Sequence, residues 1–221
     1  MRIFLGAVLS FVVLGLHAAC NDPAGPKVDW SGCSKERLIL KDKELQEARF
    51  VRAILLGMNF ASATLTRASF ASAEINHSSF RDAMLEGSSF EKAVAVRSNF
   101  SGARLDGANL EKAELHRSLL TRASLKGANL SKGDFGRSVF EAADLSGATL
   151  RLSNIARARF AGATMNGTDL TNAFMYSARF EGTDLSAVKG LTQAQLDVAC
   201  GDAKTKLPAA LKRPASWPCS D

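Results

Sequence analysis

Arg97, Arg117, Arg137 and Arg157 stand twenty residues apart, and Lys92, Lys112 and Lys132 keep the same step five residues earlier. Side chains repeated at a fixed step line up in space when the chain returns to the same place after each step. Stacked guanidinium groups then form a row of planar, permanently charged forks, the geometry that suits carboxylate and phosphate. The chemistry on offer is the binding of an anion. Two readings fit these bases: a docking strip for an anionic partner, or a solvated face partly neutralised by its neighbours. Glu91 and Glu111 lie beside the lysines, and Glu114 and Asp134 beside the arginines, in position to supply that neutralisation.

No reacting constellation accompanies the bases. The sequence holds no G-x-x-x-x-G-K-[ST], no H-E-x-x-H and no C-x-x-C. His77 and His116 fall on one side two steps apart, about 10 Å, a poor spacing for a shared metal. Acids such as Glu86 and Asp106 also share a side, but a glycosidase-like pair needs a cleft. A straight-sided stack is expected to offer none. The reading is therefore no enzyme, no catalytic residue, no metal and no cofactor.

The element that positions the bases is a repeat of five. Every fifth residue from Phe50 to Leu185 is Leu, Phe, Ile or Met, except Ala95. Two places earlier, from Ala48 to Thr183, the residue is Ala, Ser or Thr, except Met58 and Gly133. A helix needs a period near 3.6 and a strand a period of 2, so neither accounts for this. The pattern requires a chain that turns a corner every five residues, with one large and one small side chain pointing inward on each side. A period of twenty lies over the period of five: phenylalanines at 60, 80, 100, 140, 160 and 180, and glycines at 87, 107, 127, 147 and 167. Four sides per coil follow. The twenty-eight units make about seven coils, a stack about 34 Å long at about 4.8 Å per coil. Ala95 is expected to leave that coil locally loose.

Ala108-Asn109-Leu110, Ala128-Asn129-Leu130, Ala143-Asp144-Leu145 and Ala148-Thr149-Leu150 resemble the A-(D/N)-L-x-x motif of the pentapeptide-repeat family. The resemblance covers residues 48–187 densely. It implies an all-β solenoid, a right-handed quadrilateral β-helix; the handedness comes from the resemblance alone. It also brings a function into view, since some members of the family resemble DNA in shape and negative charge and occupy topoisomerases. This chain departs from them, with 28 Lys and Arg against 22 Asp and Glu.

The ends read differently from the middle. Arg2, an apolar run over Ile3–Leu16 and the small residues after it form an export signal over residues 1–20. Two alanines before Cys20 also permit a lipid anchor there, although His17 stands where such signals carry an aliphatic residue. An N-terminal cap over 21–47 precedes the β-helix over 48–189, with Leu38, Leu40 and Leu45 already in register. Residues 190–221 form a C-terminal cap: Thr192 and Gln195 make a capping box, so a short helix is expected over Thr192–Ala199. Trp30 and Trp217 are placed as lids on the two ends. Cys200 with Cys219 closes a short loop, and Cys20 with Cys33 does so only if Cys20 survives cleavage without a lipid.

The expected protein is thus a non-enzymatic, periplasmic or secreted binding or structural module. Its partner is read as an acidic protein or an anionic polymer of the envelope, docked on the basic face, and not as nucleic acid. The alternative is an accessory subunit of an envelope enzyme, and a topoisomerase-binding DNA mimic is the less favoured one, given the basic charge and the export signal. The sequence leaves the partner's identity and the oligomeric state open.

Overall fold

The structure is a computed structural model, and it describes residues 19–219. The segment read as an export signal, residues 1–20, lies outside the described residues except for its last two positions. From Asp29 to Asp169, parallel bridges join every fifth residue to the one twenty places later: Asp29 to Arg49, Asn109 to Asn129, Asp169 to Lys189. Among the described residues the bridges extend into strands once, where β1 (Ser34–Glu36) pairs in parallel with β2 (Ile54–Leu56).

The hydrogen-bond pattern explains why five residues suffice for one side. In the unit around Phe60, the amides of Phe60 and Ser62 donate to the next coil, at Ser79 and Arg81. Asn59 donates back to Leu38, and Ala63 closes the corner on the Phe60 carbonyl. One amide is left, that of Ala61, and it donates to the Asn59 side chain at 3.0 Å. The same bond recurs from Glu111 to Asn109, Gly136 to Asp134 and Ala156 to Asn154. Where an Asn or Asp precedes the large residue, its side chain satisfies the fifth amide, which neither ladder nor turn reaches.

The large residues fill the axis. Phe60, Phe80 and Phe100 stack at 4.9 and 4.7 Å, and Phe50, Phe70 and Phe90 stack opposite them at 4.7 and 4.8 Å. The two columns meet edge to face, as at Phe60 and Phe70, 5.7 Å apart. Burying each such side chain contributes about 1.5–3 kcal/mol, and each ring pair about 0.5–1.5 kcal/mol more. Gly133 is the small partner of an oversized neighbour: a Cβ there would lie 2.6 Å from the Phe135 ring. At Ala95 the bonds lengthen, with Ser98 N to Ala95 O and Arg97 N to His116 O both at 3.3 Å. The equivalent bond from Arg117 to Gly136 is 2.9 Å, but Gly133 N to Leu130 O reaches 3.4 Å, so bond lengths do not single out the Ala95 coil.

Both ends of the axis are covered. Trp30 is 2% exposed, meets Phe50 edge to face, and donates its indole N–H to Asp22 O. The disulfide Cys20–Cys33 ties the residues around it. At the other end α1 (Gln193–Asp197) opens on the Thr192–Gln195 capping box. Gln195 Nε2 donates to the carbonyl of Leu170, which also accepts the corner bond from Ala173 N, and to that of Ala173, which has no further coil to pair with. The helix stops short of Ala199 because Cys200 rejoins the ladder, bridging Arg179. Trp217 then lies buried over Gly201, donating to Ala199 O at 2.7 Å, and Cys200–Cys219 secures the tail. Among the described residues, no helix is long and apolar enough to cross a membrane.

Candidate functional site

Arg97, Arg117, Arg137 and Arg157 all occupy the third position of a corner turn, with φ between 56° and 60°. That left-handed conformation favours glycine and costs other residues about 1 kcal/mol or more. The corner is held from beneath by the residue that follows each of the first three arginines. Ser98 Oγ donates to Ile75 O at 2.9 Å and accepts from Ser78 N at 3.1 Å, bridging the corner of the coil before it. Ser118 and Ser138 do the same one and two coils on. Ser78 begins the series by bridging Met58 N and Leu55 O. This buried ladder fixes the arginine corner coil to coil.

The lysines take the same turn position at the preceding corner, with φ 56° to 60°. Between the two corners lies one face of the prism, carrying Asp134, Gly136, Asn154, Ala156, Phe174 and Tyr176.

The two basic corners differ electrostatically. Lys92 pairs with Glu91 at 3.1 Å and Lys132 with Glu111 at 3.2 Å. Bonding to Lys132, and its charge, hold the Glu111 carboxyl below its ordinary range. Elsewhere Arg104 pairs with Glu86 at 2.7 Å, Lys126 with Asp144 at 3.3 Å and Arg151 with Asp169 at 3.1 Å. Arg97, Arg117, Arg137 and Arg157 are exposed and make no ion pair or side-chain hydrogen bond among the described residues. The neutralisation expected from Glu114 and Asp134 does not occur. Asp134 Oδ1 is engaged by Gly136 N at 2.9 Å and by Asn154 Nδ2 at 3.0 Å, so backbone satisfaction takes the carboxylate away from the arginines.

The sides are also not uniformly flat. A shallow concavity of about 480 Å³ runs along the arginine corner from His116 to Tyr176. Its lining includes Arg117, Arg137 and Arg157 together with Asp134 and Asn154, and along the chain Gly136 and Ala156 fall between the two sets. A Cβ at Gly136 would approach Asp134 Oδ1 to 3.2 Å. The depression lies open along the surface and is not the cleft that a paired-carboxylate site needs, and the small outward residues Gly136 and Ala156 line it. Tyr176 closes the end at 50% exposure, beside Phe174 at 60%. Sequence reasoning passed over Gly136, Asn154 and Tyr176. The available signal was a glycine off the glycine column and the chain's single tyrosine.

No group of three or more His, Cys, Asp or Glu side chains suited to a metal occurs among the described residues. The four cysteines sit at the ends, away from this face, in two disulfides.

Comparison with known proteins agrees with the architecture. The family model described as "Pentapeptide repeat region" matches residues 43–118, and that described as "Pentapeptide repeats (8 copies)" matches 118–155 and 153–189. The chain belongs to the pentapeptide-repeat family, whose fold is the right-handed quadrilateral β-helix. Among solved structures it is similar to HetL, a pentapeptide repeat protein involved in heterocyst differentiation regulation from the cyanobacterium Nostoc sp. strain PCC 7120. Identity is 24% and the TM-score 0.53, over 84% of this chain and 94% of HetL. It is also similar to trypsin-treated QnrB1, a plasmid-mediated fluoroquinolone resistance protein, at 19% identity and TM-score 0.42, over 80% of this chain and 93% of that one. These likenesses are of fold. No curated protein matches the sequence.

Proposed function

We propose that this chain is an exported, non-enzymatic binding module that docks an anionic partner of the cell envelope on its arginine corner. The observation that carries the reading is the contrast between corners. Lys92 and Lys132 have acidic partners and Lys112 has none, whereas all four arginines, in consecutive coils, lack one among the described residues. Unpaired guanidinium groups stacked about 4.8 Å apart repel one another, and a bound anion relieves that repulsion. Two disulfides and the apolar N-terminal run support an oxidising compartment, periplasmic or extracellular. About seven coils, with a helix and a disulfide-held tail over the last one, make a rigid support for such a face.

The experiment is partner capture from envelope extract at low and high salt. The mature protein is compared with a variant carrying Arg→Glu at 97, 117, 137 and 157. A partner held by the parent alone and released by salt is the expected result. Equal capture by both, or by neither, returns the corner to ordinary solvated surface.

A further inference from the structure

The concavity is narrower in its chemistry than an anion-binding strip. Resting on the reading above, we propose that it is a subsite for an acidic oligosaccharide, a short run of uronic acid sugars. Its carboxylates meet Arg117, Arg137 and Arg157, its hydroxyls meet Asp134 and Asn154, and a sugar ring lies on Tyr176.

Size comes first. The concavity, about 480 Å³, is open along the surface, so it suits a short ligand laid along it rather than one enclosed by it. A globular protein partner needs about 800 Å² of surface on each side, more than this trough presents. Its three-coil length, about 14 Å, suits a few sugars laid end to end.

Charge comes second. Asp134 lines the trough with the arginines, and its Oδ2 makes no hydrogen bond among the described residues, His116 Nδ1 lying 3.9 Å away. A continuously anionic chain, such as an acidic peptide, sets carboxylates against that carboxylate. An acidic sugar alternates carboxylates with hydroxyls, and a hydroxyl donates to Asp134 without repulsion. Asn154 uses one Nδ2–H on Asp134, leaving the other for a hydroxyl oxygen.

The end wall comes third. Outward positions beside the large inward residues are mostly small or polar along the stack, yet Phe174 and Tyr176 flank Met175 with their rings half or more exposed. An exposed aromatic with a polar tip offers an apolar plane for the C–H face of a sugar and a hydroxyl at its edge.

The test uses the oxidised mature protein. Galacturonate and mannuronate oligomers of two to six sugars are the probes, with their neutral methyl esters and oligoglutamate as comparisons. Binding is read by calorimetry and by the NMR signals of the Gly136 amide and the Tyr176 ring, the latter unique in the chain. The expected result is that at least one uronate series shifts both signals and its ester does not. Arg137→Gly then weakens binding about tenfold or more, the loss of one charge-assisted contact. Tyr176→Ala weakens it severalfold. Arg137→Gly is chosen because glycine suits φ 60°, so misfolding does not confuse the result.

Failure of both uronate series to bind overturns the inference. So does oligoglutamate binding as tightly as the uronates with no dependence on Tyr176. Neither of those results touches the capture experiment, which alone decides whether the arginine corner docks a partner.

Discussion

Gly127 and Arg137 hold the same left-handed turn conformation, φ 63° and 60°, at diagonally opposite corners of the stack. Half a coil separates them in sequence, so the backbone demand is identical and only the side chain differs. One corner meets the demand with glycine at 87, 107, 127, 147 and 167, and the other meets the same demand with arginine at 97, 117, 137 and 157. The arginine corner thus carries backbone strain that the glycine corner avoids.

A variant with glycine at 97, 117, 137 and 157 is therefore expected to be at least as stable as the parent. Relief of the left-handed conformation contributes about 1 kcal/mol per site, and the added freedom of the unfolded chain takes back about 0.4–1 kcal/mol. Loss of like-charge repulsion adds to the gain. Chemical denaturation measures this. A loss of more than about 2 kcal/mol for the quadruple variant would show that the arginines stabilise the fold through contacts absent here. Gly127→Ala runs the other way and is expected to cost about 1–2 kcal/mol.

The serine ladder beneath that corner makes a second prediction. Ser118 Oγ donates to Ala95 O at 2.8 Å and accepts from Ser98 N at 3.1 Å, while buried. Ser118→Ala leaves that carbonyl and amide with only the direct turn bond, 3.3 Å long. The expected cost is about 1–3 kcal/mol, with faster amide exchange confined to residues near 95–98. Exchange that rises evenly along the whole stack would mean that the ladder is not a local stitch.

Much of this was legible because the chain repeats. Each inward column is sampled once per coil, so Phe60, Phe80 and Phe100 state one packing rule three times, and single departures such as Ala95 and Gly133 stand out. The arginine corner was equally legible by position. Its electrostatics were not, because Asp134 is adjacent to the arginines in sequence yet spends its oxygen on Gly136 N and Asn154. That choice depends on which amide the ladder leaves over, which becomes apparent only when all five donors are traced. The concavity was hidden for a related reason. It depends on small residues at 136 and 156, where the same corner carries Asn76, Val96, His116 and Tyr176 in other coils, and a period of twenty reports what recurs in a column rather than its local departures.

Gly133 and Phe135 supply a coupled test of core packing. A Cβ at 133 meets the Phe135 ring at 2.6 and 2.8 Å and the Ala113 carbonyl at 3.0 Å. Gly133→Ala is expected to cost about 1–3 kcal/mol through overpacking. Phe135→Leu, the residue found one coil earlier as Leu115, removes the ring and is expected to recover most of that loss. A double-mutant cycle measures the coupling, expected at 0.5 kcal/mol or more for neighbours of this kind, about the lower end for contacting residues. Additive effects would place the strain on the Ala113 carbonyl instead.

Acid is expected to loosen the C-terminal end first. Asp184 accepts from Ser186 Oγ at 2.5 Å and Ser186 N at 3.0 Å, and pairs with Lys206 at 3.0 Å. These bonds hold its carboxyl down to about 2, with the Ser186 hydroxyl the largest cause. Asp202 is likewise held low, chiefly by the Gly182 amide, with Thr205 contributing. Both groups tie the tail to the last coil. A carboxyl whose pKa is lower folded than unfolded stabilises the fold above the unfolded value, near 3.9, and loses that contribution as pH falls toward the folded value. Between about pH 4 and pH 2, amides near 199–206 are therefore expected to lose protection before those of the central coils. Ser186→Ala raises the Asp184 midpoint and moves the loosening to higher pH. Carboxyl NMR titration reads the midpoint directly, and an Asp184 that titrates near the ordinary aspartate value would remove the basis for end-first loosening.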